Sequence, residues 1–131
     1  MKSENWIDIN HDRMSGETFF VLLTTEFPET REEILEEDGN IHSQMEVFAE
    51  YTTATIKKDS KLEMTRCFAF IESKIDLLHT DLEEAIKVSY CESLILGEIG
   101  DLIPVIAKRM PKKLQAMFEE YQDSYRGITN Q

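Results

Sequence analysis

The chain has 131 residues, 41% hydrophobic and 31% charged, which suits one domain with a core that needs no disulfide or metal staples. Its 26 acidic and 14 basic residues give a formal charge of −12; such a surface repels phosphate backbones and anionic lipid and argues against nucleic-acid and membrane partners. The opening "MKSENWIDINHDR" has no apolar run for a signal peptide, and no stretch approaches the ~18 apolar residues of a membrane span, so a cytoplasmic protein is expected.

Prolines and glycines are few and fall at boundaries. Residues 1–14 read as an N-terminal arm, with Trp6 and Ile7 docking on the body. Ser15 is a helix N-cap, and the helix it starts carries Phe19, Phe20, Leu22 and Leu23 until Pro28 breaks it. The aromatic run "TFFVLL" is the one strand candidate, but it follows a good cap. Pro28 then opens a short helix closed by Gly39 and anchored by Ile34 and Leu35. A third helix over 41–57 places Met45, Phe48, Ala49, Thr52 and Ile56 at helical spacing.

Asp59 or Ser60 would cap a fourth helix over 61–78, where Met64, Cys67, Phe68, Ile71, Ile75 and Leu78 form one stripe. Thr80 or Asp81 would cap a fifth, running to Leu96, that is apolar nearly all round and therefore central. A short helix near 102–108 and a last one opened by Pro111 and ended by Gly127 complete the chain, with residues 127–131 fraying. The expectation is an all-α single domain of about six helices over 15–126, packed as an irregular bundle or a short helical-repeat-like stack. The fourth and fifth helices should form its centre.

The stretches "EFPE" (26–29), "REEILEEDGN" (31–40), "IHSQMEVFAEY" (41–51), "FAFIE" (68–72) and "IKVSYCESL" (86–94) together resemble an uncharacterised family of small, acidic, all-helical bacterial proteins. The resemblance spans Phe19 to Glu98, and its most specific part is the valine-serine…glutamate-leucine block of the fifth helix. The sequence departs from the family pattern at Cys91, where a larger apolar residue is usual, and at "NIHSQ", where a proline-histidine pair is common. The resemblance implies no established activity. It suggests an immunity-like or accessory role in a bacterial toxin system.

Glu92 sits among apolar neighbours, and burying a bare carboxylate costs several kcal/mol, so it must be paired, protonated or bonded to N–H groups. It reads as a structural buried carboxylate, capping a neighbouring helix or bonded to Arg66, Lys74 or Tyr90; Glu72, beside Phe68, reads the same way. The chemical alternative is a small carboxylate-based metal protein or enzyme in which Glu72 and Glu92 converge. Di-metal bundles repeat an ExxH pattern; here Asp76 with His79 and His42 with Glu46 each occur once, so no metal ligands are assigned and both histidines read as solvated.

Ser89 and Ser93 lie mid-helix without a nucleophile elbow, and Cys67 and Cys91 lie in apolar stretches as buried free thiols. No phosphate loop is present, no cofactor is expected and no catalytic residue is assigned. The basic "AKRMPKK" (107–113) reads as helix-end charge. The acidic "ETREEILEED" is the more suggestive surface: Glu29, Glu32, Glu33, Glu36, Glu37 and Asp38 would steer a basic protein partner. The leading reading is thus a non-enzymatic protein-interaction protein, with a structural subunit of a homo-oligomer, such as a homodimer, as a further alternative.

Overall fold

A computed structural model describes residues 12–129, with side chains through residue 124. Trp6 and Ile7, expected to dock, lie outside the described residues. The described chain is helical nearly throughout. The helices are α1 (Gly16–Glu26), α2 (Arg31–Glu36), α3 (Ile41–Lys57), α4 (Lys61–Lys74), α5 (Thr80–Ala85), α6 (Cys91–Leu96), α7 (Ile103–Arg109) and α8 (Lys112–Thr129). A wide π-turn over Ile86–Tyr90 fuses α5 and α6 into one rod, so the described residues form seven helical rods in an all-α domain.

Local chemistry explains the boundaries. The Ser15 hydroxyl accepts from the Thr18 N–H at 3.3 Å and caps α1, which makes "TFFVLL" helical. Pro28 stands first in a 3-10 turn that leads into α2. Gly39, at φ 87°, turns the chain, and the Asn40 side chain caps α3 by accepting from the Ser43 N–H at 3.1 Å. The end of α3 closes with Ser60 N–H to Thr55 O (2.9 Å) and Asp59 N–H to Ile56 O (3.0 Å), while Asp59 takes the left-handed position (φ 57°) that glycine usually fills. Ser60 therefore occupies the N-cap of α4 without a side-chain bond, and His79 rather than Thr80 or Asp81 holds that place for α5. The last helix does not end at Gly127 but continues to Thr129, since one glycine costs a helix only about 1 kcal/mol.

The residues just before α1 are tied down. Met14 donates its N–H to Leu77 O at 2.6 Å and accepts from the His79 N–H at 2.9 Å, fastening this segment to the loop after α4. Arg13 adds two 3.3 Å bonds to the carbonyls of Asp76 and Leu78.

The centre of the fold differs from expectation. The fourth helix and the α5–α6 rod are rich in buried residues, but α3 is the element that packs on α2, α4 and the rod alike. The reason is its buried face, where Met45, Phe48, Ala49 and Thr52 are fully enclosed. Phe48 joins the aromatic groups of the core, with ring centroids 5.1 Å from Phe27, 6.1 Å from Phe70 and 5.6 Å from Tyr90. The rod's all-round apolar pattern has a local cause. Leu82 and Ala85 are buried before the π-turn, Ile86 and Tyr90 within it, and Cys91 and Leu94 after it, one residue out of step with a regular helix. The wide turn absorbs that extra residue and keeps both stripes on the core.

Candidate functional site

Glu72 and Glu92 do not converge. Both are half-buried rather than buried, because each sits at the edge of the packed face of its helix. Glu72 lies under the start of α8, where its two oxygens accept from the Lys113 N–H at 3.0 Å and the Leu114 N–H at 2.8 Å. The helix-capping role considered for Glu92 thus falls to Glu72. Glu92 accepts instead from the Tyr121 hydroxyl at 3.1 Å. The two contacts lie seven to eight residues apart on α8, about 11–12 Å of rise. The partners proposed for Glu92 are engaged elsewhere. Arg66 pairs with Glu63 at 3.1 Å, Lys74 stands over the Phe70 ring, and the Tyr90 hydroxyl meets Thr52 at 2.9 Å. Among the described residues no three His, Cys, Asp or Glu side chains gather closely enough to hold a metal ion.

His42 is not the solvated helix-end residue its position suggests: its Nδ1 lies 2.7 Å from the Ser89 hydroxyl, tying the start of α3 to the π-turn. The pair has the composition of a nucleophile and a base. Ser89, however, is only 5% exposed, and a helix interior offers no row of spare N–H groups to receive an oxyanion. Its geometry is that of a strut between helices. Burial pushes both cysteine thiols up to about 12, so neither is a ready thiolate. The Tyr51 hydroxyl is raised well above its ordinary value by burial and by Glu29 and Glu63, from which it stands 3.2 Å each. That contact, with Arg66 over the Phe27 ring and bonded to Glu26 O, locks the "EFPE" corner.

Two grooves present acidic groups to solvent. The first, about 440 Å³, runs between α1, α2 and the start of α3. Phe20 and Ile34 line it, the half-exposed Val21 and Leu35 stand on its walls, and Glu17, Arg31 and Asp38 lie on its rim. The carboxylates of Glu32, Glu33, Glu36, Glu37 and Asp38 are exposed and, among the described residues, make no ion pair or side-chain hydrogen bond. Glu29 differs from them through its bond to Tyr51. The α2 backbone is not loose, because the buried Gln44 amide donates to Ile34 O at 3.1 Å.

The second groove, about 540 Å³, lies between α3 and α6 and is lined by Glu46, Glu50, Thr53, Glu92, Leu96 and Glu98. In the sequence the one signal for this groove is Glu46 and Glu50, four residues apart on the exposed face of α3. The basic cluster is split: Lys113 pairs with Asp76, while Lys108 and Arg109 end α7 beside Pro104 and Val105.

No curated protein and no solved structure matches the chain. Residues 20–127 match the model of DUF7674, a domain of unknown function, so the match extends past the Phe19–Glu98 resemblance to take in α7 and most of α8, and the chain belongs to that family.

Proposed function

We propose that this domain is a non-enzymatic protein-interaction module that receives a basic partner on the α1–α2 face, in an immunity-like or accessory role in a bacterial toxin system. One observation carries the reading: exposed, unpaired carboxylates run along α2 (Glu32, Glu33, Glu36) and just past it (Glu37, Asp38), and Asp38 lines a groove whose walls expose Val21 and Leu35. Among the described residues Arg31 is the one cation lining this groove, against Glu17, Asp38 and the α2 glutamates, and acidic charge in excess beside apolar surface suits a cationic segment with apolar anchors, because the carboxylates steer the encounter and the groove holds the bound state. The surface is preformed, since Ile34 and the Gln44 bond fix α2 to the body. Binding then costs little ordering.

The test is affinity capture from lysate of the source organism with three baits: the wild type, E32K/E33K/E36K/E37K and Leu35→Ser. The expected result is one identified basic protein that the wild type retains at low salt and both variants lose while remaining folded. A protein retained equally by all three baits, or an acidic one, overturns the reading.

A further inference from the structure

The groove between α3 and α6 encloses a hydroxyl that has no protein partner among the described residues. Three of α3's threonines are buried. Thr52 donates its hydroxyl proton to Phe48 O at 2.9 Å and Thr55 to Thr52 O at 2.6 Å. Thr53 is only 9% exposed, lines the groove, and has no side-chain hydrogen bond among the described residues. A largely enclosed hydroxyl without a protein partner calls for an explanation. Gly97 supplies part of it. A Cβ there would stand 3.2 Å from the Thr53 Oγ1 and 3.1 Å from its Cγ2, so the absence of a side chain leaves the hydroxyl open towards the groove.

Glu46, Glu50, Glu92 and Glu98 line the same groove, with Lys57 as the one cation among the described residues of its lining. Glu92 spends one oxygen on Tyr121. Glu46 and Glu50 follow each other by one turn of α3, about 6 Å, and no three of these groups gather around a single point as a metal would require. Leu96, 57% exposed, and Ala54 give the groove an apolar side. A neutral hydroxyl acceptor, carboxylates that do not gather at one point and an apolar wall fit a compact three-donor cation on a methylene chain better than a planar guanidinium fork.

We infer that the α3–α6 groove is an alkylammonium site, in which the Thr53 hydroxyl and the flanking glutamates receive a primary ammonium while its aliphatic chain lies on Leu96. The cation comes either from a free linear polyamine or from a lysine side chain. The site shares no residue with the α1–α2 face, so its test stands apart from the partner reading.

The experiment is a titration of the full chain at low salt with spermidine and, separately, with a blocked lysine-containing peptide, followed by calorimetry and amide chemical shifts. Saturation at one equivalent is expected, with shifts confined to residues 46–57 and 92–98. The tighter of the two probes identifies the source of the ammonium. Thr53→Val should weaken binding about tenfold and Glu50→Gln about fivefold, and E32K/E33K/E36K/E37K should leave it unchanged. Thr53→Val should also melt at or above the wild-type temperature, because it removes a hydroxyl that has no partner. Failure of both probes to bind, shifts spread over the α2 carboxylates, equal binding of Mg²⁺ at matched ionic strength, or a Thr53→Val variant that binds normally or melts several degrees lower would each overturn the assignment.

Discussion

Replacing Glu72 by Ala should destabilise the domain through α8, a helix whose first N–H groups are satisfied from another element. The Leu114 N–H bond to Glu72 is partly buried and short (2.8 Å), while the Lys113 N–H bond (3.0 Å) is exposed. A hydrogen bond to a charged acceptor contributes about 1.5 kcal/mol at the lower end of its range and an exposed one about 0.5, so the loss is about 2 kcal/mol, near the upper end for a helix cap. For a chain of this size about 1 kcal/mol corresponds to about 3–5 °C, so Glu72→Ala should melt about 6–10 °C below wild type. Glu72→Gln keeps one acceptor oxygen for the Leu114 N–H and should lose about half as much. Thermal melts followed by far-UV circular dichroism measure both, and amide exchange at Lys113 and Leu114 should rise in the alanine variant. A Glu72→Ala protein melting within 2 °C of wild type would refute the capping role. Equal losses for Ala and Gln would show that charge, not acceptor geometry, is what matters.

Glu92→Gln should cost less than about 1 kcal/mol, because the amide oxygen still accepts from Tyr121; a larger loss in urea unfolding would mean the charge itself is structural. In the core, the Tyr90 hydroxyl donates to Thr52 Oγ1, which donates to Phe48 O. Thr52→Val strands the fully buried Tyr90 hydroxyl and should cost about 2 kcal/mol, against about 1 for Tyr90→Phe; the reverse order in denaturant titrations would contradict this chain of bonds. Burial raises both cysteine thiols from 9.0 to about 12 and raises Tyr51 and Tyr90 above 10.0. A raised folded value means that the unfolded chain releases its protons first as pH rises. This stabilisation is complete below pH 9, and melting temperature should fall steadily between pH 9 and 12. Thiol titration at pH 8 should find neither cysteine reactive until denaturant is added.

The helices were readable because each had its signals in the chain: Ser15 before α1, Pro28 before α2, and a single apolar stripe on α4. The central position of α3 was not readable, because periodicity shows which face is buried and not how many neighbours share it. The apolar surround of 82–96 pointed to burial on several sides, and the rod does pack on both α3 and α8; the one-residue step in the stripe absorbed by the π-turn was not readable. The acidic run on α2 could be read directly, since charge density needs no tertiary information. Glu72 and Glu92 stand out in the sequence as carboxylates on apolar helices, but their partners, the α8 backbone and Tyr121, lie some 30 to 40 residues away, beyond any local pattern. Thr53 carried no signal at all. Its isolation arises only where Gly97 meets it across two helices.

The measurement that tests the central claim most directly is the association rate of the captured basic partner with this domain as a function of salt. Electrostatic steering by α2 predicts a rate that falls more than about tenfold between 20 and ~200 mM salt for the wild type and changes little for E32K/E33K/E36K/E37K. Equal salt dependence in the two proteins would contradict the acidic α2 face as the docking surface.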